Sequence, residues 1–122
     1  MASVMIVDDE PDICLVVRRA LEAHGIEVVE ARSGEEALRK LRSKPVDLVL
    51  IDFLMPGMSG RELAERIRRD PKLKDLKLAF LTVANFGEVG ENELKSLGIL
   101  DYIRKPFKKD DLVQRVKGML QS

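Results

Sequence analysis

The chain has 122 residues and carries 21 Lys and Arg against 21 Asp and Glu, so its formal net charge is zero. This length fits one domain over residues 1–122, and we expect no separate output module. A composition of 45% hydrophobic and 34% charged residues excludes a wholly disordered chain. The zero balance excludes a general nucleic-acid binder, because neutralising several phosphates needs a surplus of Lys and Arg.

Cysteine usage and the apolar runs indicate the compartment. Cys14 is the only cysteine, so the chain can form no internal disulfide, which suits a reducing environment. The first residues lack the basic stretch and the small-residue cleavage site of a signal peptide. No apolar run approaches the roughly 20 residues that span a bilayer. We therefore expect a cytoplasmic protein without a membrane segment.

Short apolar runs alternate five times with stretches whose apolar residues recur three and four positions apart. The runs have few polar alternates, which is typical of parallel strands covered on both faces of a sheet. The predicted strands are Val4–Val7, Glu27–Ala31, Leu48–Asp52, Leu78–Thr82 and Tyr102–Arg104.

Each predicted strand is followed by a predicted helix. Pro11 favours a first helical turn, Ser33 is a suitable N-cap, and the glycines at 87 and 90 weaken the start of the fourth helix. The predicted helices run from Pro11 to near Gly25, from Gly34 to Arg42, between Ser59 and Asp70, from Glu91 to Leu97, and from Lys109 onward. This alternation predicts right-handed crossovers and a doubly wound parallel α/β sheet with helices on both faces.

Polar residues interrupt the apolar pattern where four strands end. Asp8 and Asp9 follow the first strand, Asp52 closes the third, Thr82 the fourth, and Lys105 follows the fifth. Each residue taken alone fits a cap or a turn, but parallel strands bring their carboxyl ends to one edge, where ligands bind in such sheets. Carboxylates gathered in a small volume raise one another's pKa unless a cation neutralises them, and Mg²⁺ prefers such oxygen ligands.

The same positions supply the groups that phosphoryl transfer requires. Asp52 is a carboxylate nucleophile able to form an acyl phosphate, Lys105 can pair with a phosphoryl oxygen, and the Thr82 hydroxyl can donate to another. Pro106 follows Lys105, and both isomers of that peptide bond are compatible with the sequence. We therefore expect a site that receives a phosphoryl group.

Four segments of the chain carry a family resemblance. They read Ile-Val-Asp-Asp-Glu at 6–10, Leu-Ile-Asp-Phe-Leu-Met-Pro-Gly-Met-Ser-Gly at 50–60, Leu-Thr at 81–82 and Lys-Pro-Phe at 105–107. In order, spacing and placement at strand ends they resemble the receiver domain of two-component response regulators, over essentially the whole chain. The resemblance implies a flavodoxin-like strand order 2-1-3-4-5 and a regulatory protein that is not an enzyme, similar to stand-alone chemotaxis regulators and phosphorelay intermediates.

The resemblance also implies partners and a cofactor. Asp52 would accept a phosphoryl group from a phosphohistidine of a sensor histidine kinase or phosphotransfer protein. Mg²⁺ would be held by Asp8, Asp9 and Asp52 together with the backbone carbonyl of Leu54. A downstream protein would dock on the face made by the fourth helix, the fifth strand and the fifth helix, and the chain would act as a monomer or as a phosphorylation-dependent dimer.

Three residues would respond to phosphorylation if the resemblance holds. Lys105 would pair with the phosphoryl group, Thr82 would move toward it, and Tyr102 would turn inward as the family's aromatic switch. The alternative for Tyr102 is a half-buried aromatic residue of the strand. Phosphorylation adds roughly 1.5 to 2 negative charges, which is sufficient to change the dominant state of a two-state element separated by a few kcal/mol.

Some positions depart from the family's usual pattern. Leu54 and Ala84 occupy the two positions that tune hydrolysis of the acyl phosphate, and neither side chain can orient a water, so slow self-dephosphorylation is expected. Val83 is bulkier than the small residue often found there. Leu15 and Phe86 are either isolated exposed apolar residues or contacts for the phosphodonor and the downstream partner.

Three other functions remain to be weighed. A phosphohydrolase of the haloacid-dehalogenase type uses similar groups, but its nucleophile follows the first strand and has a second Asp two residues on, whereas Asp52 follows the third strand and position 54 is Leu. A flavodoxin-like cofactor module would need a Ser/Thr-rich phosphate loop after the first strand, where this chain has acids. An interaction domain that is never phosphorylated is the third alternative.

Overall fold

A computed structural model describes residues 1–83 and 94–122. Five parallel strands form one sheet in the order β2-β1-β3-β4-β5. The strands are β1 Ser3–Val7, β2 Glu27–Ala31, β3 Leu48–Asp52, β4 Lys77–Thr82 and β5 Ile99–Arg104. The doubly wound α/β fold and the 2-1-3-4-5 order are therefore confirmed.

Four helices connect or follow these strands within the described ranges. They are α1 Pro11–Glu22, α2 Gly34–Ser43, α3 Gly60–Arg69 and α4 Lys109–Gln121. The last of these, α4, is the fifth helix of the sequence prediction. Residues 91–93 of the predicted fourth helix lie outside the described residues, while Leu94 and Lys95 are helical and a turn over 96–98 leads into β5.

Local chemistry accounts for where these helices begin. Pro11 is in the first turn of α1, where its missing N–H costs no hydrogen bond. The hydroxyl of Ser33 accepts a hydrogen bond from the Glu36 N–H at 3.1 Å, and Ser59 caps α3 in the same way through Glu62 at 3.1 Å.

The core consists of two layers, one on each face of the sheet. Buried residues of α1 and α4 pack on one face against Val4 and Ile6 of β1. Buried residues of α2 and α3 pack on the other face against Met5 and Val7. Successive residues of β1 thus alternate between two apolar layers, which explains why the strand shows no polar alternation.

The strand order positions the functional edge. β1 pairs with β2 on one side and with β3 on the other, so the chain reverses its winding direction at β1. The crevice outside the carboxyl ends of β1 and β3 is the point where such sheets bind ligands. No helix among the described residues is long and apolar enough to cross a membrane, and the expected cytoplasmic location stays a prediction.

Candidate functional site

Four of the five predicted strand-end residues converge at the carboxyl edge of the sheet. Asp8 follows β1 and is 0% exposed, Asp52 ends β3 at 4%, and Thr82 ends β4 at 1%. Lys105 follows β5, and its backbone N–H donates to the Thr82 carbonyl at 2.9 Å, which continues the β4–β5 pairing beyond the strand. The parallel sheet therefore buries two carboxyl groups, a hydroxyl and an ammonium group at one edge.

The ammonium group of Lys105 joins the acidic side chains. Its Nζ lies 2.7 Å from Oδ2 of Asp8, 3.5 Å from Oδ2 of Asp52 and 3.8 Å from Oε1 of Glu10. The Lys105-Pro106 peptide bond is cis. The 3.5 Å distance places the Lys105 ammonium group within ion-pair distance of Asp52, the carboxylate that the sequence predicts to be a nucleophile.

The electrostatics of Asp52 follow from its surroundings. Burial and, to a lesser extent, the neighbouring Asp8 raise the pKa of its carboxyl group, Lys105 and the Leu54 N–H lower it, and the net result is a pKa raised to about 6. Burial lowers the pKa of Lys105, but the hydrogen bond and charge of Asp8 together with Asp52 outweigh this, so the net direction is upward. Lys105 is therefore positively charged, while Asp52 is ionised at neutral pH and protonated in mild acid.

Three carboxylates form the acidic group that could hold a cation. One oxygen from each of Asp8, Glu10 and Asp52 lies within 4.8 Å of the others. Three carboxylates facing one ammonium group carry excess negative charge, and their oxygens are the donors that Mg²⁺ prefers. Asp9 and Glu10 are both exposed, but Asp9, one of the predicted ligands, is not part of this group, so its role stays a prediction.

Glu10 is the site residue that the sequence reasoning missed. Its backbone N–H donates to Oδ1 of Asp8 at 2.9 Å, and this turn brings Glu10 back toward the site. The available signal was that Glu10 is the third acid in a row, immediately before the helix-starting Pro11. When an Asp side chain accepts a hydrogen bond from the N–H of the residue two positions later, the chain forms a turn. Such a turn places the third acid of the run near the first.

Two exposed apolar residues come just after β3 and β4 at this edge of the sheet. Leu54 is 54% exposed and Val83 is 59% exposed. The Leu54 N–H donates to Oδ1 of Asp52 at 3.3 Å, so this backbone helps to orient the carboxylate. The use of the Leu54 carbonyl as a metal ligand stays a prediction.

A row of aromatic rings leads from the acceptor to β5. Phe53, directly after Asp52, meets Phe80 edge-on with ring centroids 5.2 Å apart. Phe80 in turn lies 6.0 Å from the ring of Tyr102, which is half-buried. Packing therefore connects Tyr102 to the site, and its action as a switch stays a prediction.

The remaining singled-out residues fall into two groups. Leu15 is 42% exposed on α1, whereas Cys14 is buried and burial raises the pKa of its thiol to about 11, in keeping with a packing role. Ala84 and Phe86 lie outside the described residues, so the predictions made for them are not tested.

Comparisons with known proteins agree with this geometry. Residues 4–117 match the family described as the response regulator receiver domain. The phosphate regulon transcriptional regulatory protein PhoB of Pseudomonas aeruginosa is 39% identical over 121 residues, which are 98% of this chain and 52% of that protein. The transcriptional regulatory protein YvrH of Bacillus subtilis is 36% identical over 98% of this chain and 49% of its own length. The chain thus spans about half the length of the curated relatives it matches, and these relatives are named as regulators.

Solved structures are similar over nearly the whole chain. The chemotaxis protein CheY4 of Vibrio cholerae has a TM-score of 0.90 at 30% identity, covering 98% of both chains. The response regulator TrrA of Thermotoga maritima, solved in complex with Mg²⁺ and BeF, has a TM-score of 0.83 at 39% identity, covering 98% of this chain and 99% of that one. Because the family match spans most of the chain and the buried acids and lysine occupy its strand ends, the chain belongs to the response regulator receiver domain family.

Proposed function

We propose that Asp52 accepts a phosphoryl group from a phosphohistidine on a sensor kinase or phosphotransfer protein, and that this transfer switches a partner-binding face. The observation that supports it is the buried Asp52 carboxylate lying 3.5 Å from the ammonium group of Lys105, beside the carboxylates of Asp8 and Glu10. Membership of the response regulator receiver domain family is consistent with signalling through a phosphoacceptor.

The transfer balances with the groups present. A carboxylate oxygen of Asp52 forms a bond to phosphorus, the phosphorus–nitrogen bond of the donor breaks, and its electron pair remains on the imidazole. Lys105 moves its ion pairing toward the phosphoryl oxygens. Asp52 has to be ionised to attack, which its pKa of about 6 allows at neutral pH.

The donor set fits a magnesium cofactor. Asp8 and Asp52, with Glu10 or the predicted ligands Asp9 and the Leu54 carbonyl, would hold the ion. When bound, Mg²⁺ would offset the negative charge that gathers when a phosphoryl group approaches these acids. The residues themselves orient the acceptor, since the Leu54 N–H and Lys105 both contact the Asp52 carboxylate.

The proposed switch connects this edge to a partner. Thr82 and Lys105 would bond the new phosphoryl oxygens, and Tyr102 would change its packing on Phe80. The face that responds is formed by the predicted fourth helix, β5 and α4, and a downstream protein or a second copy of the chain would bind there.

The acyl phosphate is proposed to be long-lived. The Leu54 N–H contacts the Asp52 carboxylate, and the exposed apolar side chain of Leu54 has no group that can orient an attacking water. Leu54→Asn should therefore shorten the lifetime of the phosphorylated protein, measured by the decay of its mass signal after the donor is removed. A lifetime that is equal or longer in Leu54→Asn would overturn this part of the proposal.

The central test uses the protein's single tyrosine. The chain has one Tyr, Tyr102, and no Trp, so its intrinsic fluorescence reports on the proposed switch residue. Adding beryllofluoride with Mg²⁺ should change this fluorescence, and a small acyl phosphate should add the mass of one phosphoryl group. Asp52→Asn should lose both effects, whereas Asp47→Asn, an exposed acid at the other end of the sheet, should keep them.

The same experiment separates the main alternative. An interaction domain that is never phosphorylated would show neither the mass change nor the fluorescence change in the wild-type protein. A response that persisted in Asp52→Asn would assign the acceptor role to another residue.

A further inference from the structure

The pairing of β4 with β5 contains an irregularity next to the proposed switch residue. Leu78 pairs with Ile99 and Phe80 pairs with Tyr102, so two residues of β5 lie between these pairs where β4 has only Ala79. Such a β-bulge bends a strand and changes the face to which the following side chains point.

The bulge decides the face of Tyr102. Residues three apart in a regular strand point to opposite faces of the sheet. Ile99 and Tyr102 instead both pack against the apolar layer that contains Phe80, while Ile103 belongs to the opposite layer. Without the extra residue, a β5 that begins at Ile99 would direct position 102 toward α1 and α4.

The bulge itself is held on the α4 side. The Tyr102 N–H donates to Oδ1 of the preceding Asp101 at 2.8 Å. Arg115 of α4 donates to both carboxylate oxygens of Asp101, at 2.9 and 3.0 Å. These contacts stabilise the bulge where it is, but they do not determine where β5 starts.

Arg68 contacts the backbone that precedes both strands. Its Nη1 donates to the carbonyls of Lys74 and Leu76, just before β4, at 2.7 and 2.6 Å. Its Nε donates to the Leu97 carbonyl at 2.6 Å, and Nη2 to the Gly98 carbonyl at 3.4 Å, just before β5. One guanidinium group in the last turn of α3 therefore ties the starts of β4 and β5 together.

The surroundings of Arg68 are those of a backbone clamp. Burial lowers the pKa of its guanidinium group, and the charge of Asp75 only partly opposes this, while its N–H groups donate to four backbone carbonyls. Gly98 has a φ of +68°, and a Cβ there would lie 3.4 Å from Nη2 of Arg68. The planar fork of arginine reaches four carbonyls at once, which a flexible lysine ammonium cannot do.

Both ends of the β4–β5 pair are therefore anchored, by Arg68 at the start and by the Lys105 N–H on the Thr82 carbonyl at the end. With both ends held, the extra residue of β5 has to be accommodated inside the strand. We propose that Arg68 is a positioning residue: by holding Leu97 and Gly98 against Leu76, it sets the bulged register of β5 and thereby the face on which Tyr102 lies. The effect of Arg68 on switching rests on the proposed function, whereas its effect on the register of β5 does not.

The test compares Arg68→Met and Arg68→Lys with a matched control, Arg69→Met, which removes an exposed arginine from the adjacent position of α3. Amide hydrogen exchange is measured for β5 and for β1 to β3 in the metal-free, unphosphorylated protein. Arg68→Met should accelerate exchange in β5 by about tenfold more than in β1 to β3, since only the local anchor is lost. The emission of Tyr102 should change as well, Arg68→Lys should give smaller effects, and Arg69→Met should behave as the wild type.

Titration with beryllofluoride and Mg²⁺ then measures the effect on the site. Arg68→Met should bind about tenfold more weakly, because Lys105 and Tyr102 follow a mispositioned strand. A wild-type protein that does not respond to beryllofluoride would contradict the proposed function, but the exchange experiment would still decide the role of Arg68.

Several outcomes overturn the inference. Uniform acceleration of exchange in all strands, or an unchanged β5 and an unchanged tyrosine signal, would show that Arg68 only stabilises the fold. If Arg68→Met does not fold, Arg68→Lys decides by the same comparison. Failure of both variants to fold would likewise assign Arg68 a general structural role and reject the positioning role.

Discussion

At the scale of single residues, the central fact is the burial of the Asp52 carboxyl group beside that of Asp8. Burial and the neighbouring Asp8 outweigh the charge of Lys105, so the pKa of Asp52 is raised to about 6. A nucleophile that is desolvated and incompletely paired is costly for the fold and useful for the reaction.

Because burying this charge destabilises the fold, removing the charge should raise the free energy of unfolding by an amount that depends on pH. The pKa of Asp52 in the folded chain lies above its ordinary value of 3.8, so the folded state retains a proton that the unfolded state releases. The contribution of the Asp52 carboxyl group to the free energy of unfolding therefore falls as the pH rises from about 4 to about 6. Asp52→Asn should be more stable than the wild type at pH 7.5 by about 1–3 kcal/mol, and this difference should shrink toward pH 4.5.

Urea unfolding without divalent cations measures this difference. Asp47→Asn serves as the control, since Asp47 is exposed and an amide oxygen there can still accept the hydrogen bond from the Ser3 N–H. An Asp52→Asn effect of the same size at pH 4.5 and pH 7.5 would contradict the explanation.

At the scale of elements, α3 is anchored at both of its ends. Arg68 holds its last turn, and Gly60 begins it in contact with the acceptor strand, where the Gly60 N–H donates to the Phe53 carbonyl at 3.0 Å. A Cβ at Gly60 would overlap the backbone oxygen of Asp52 and the Cα of Phe53. The helix is therefore packed directly against the backbone that carries the acceptor.

This contact predicts opposite effects for two glycine substitutions. Gly60→Ala should lower the free energy of unfolding by about 2–4 kcal/mol, because backbone rather than a flexible side chain has to move. Gly118→Ala in α4 is the matched control, since a Cβ there has no atom within 4 Å. It should raise stability by about 0.5–1 kcal/mol through helix propensity. Chemical denaturation of both variants checks the pair, and a neutral Gly60→Ala would contradict the packing argument.

At the scale of the whole molecule, the strand order gathers acids that lie far apart in the chain. Asp8 follows β1, Asp52 ends the adjacent strand β3, and Lys105 follows the edge strand β5. The site therefore exists only when the sheet is assembled, and a ligand of the site stabilises the complete fold by mass action.

Magnesium is accordingly predicted to raise the melting temperature of the wild-type protein. Asp8→Asn should abolish the increase, and Asp9→Asn should reduce it if Asp9 is a ligand as the sequence predicts. Asp12→Asn, an exposed acid on α1, is the control and should retain the full increase. A wild-type response in Asp9→Asn together with a loss in Glu10→Gln would replace the predicted ligand set with the three grouped carboxylates.

Much of the fold and the site follows from local patterns in the sequence. The apolar runs predicted all five strands, and Ser33, Ser59 and Pro11 predicted where three helices begin. The predicted start of β5 at Tyr102 was three residues late, because the bulge breaks the alternation that would identify Ile99 as part of the same strand. β1 starts at Ser3 and β4 at Lys77, each one residue earlier than predicted, because these residues already pair with a neighbouring strand.

The sequence by itself determined the sheet, the strand-end acids and the lysine, because these depend on periodicity and on residue type at the ends of strands. Only the tertiary structure decided that Glu10, although exposed, lies within the group of three carboxylates while Asp9 does not, since the turn at Asp8 brings Glu10 back toward the site. It alone also revealed that Arg68 ties the starts of β4 and β5 together. Contacts of this kind join residues distant in sequence through backbone carbonyls. Because every residue has a carbonyl group, the sequence does not indicate which of them accepts such a hydrogen bond.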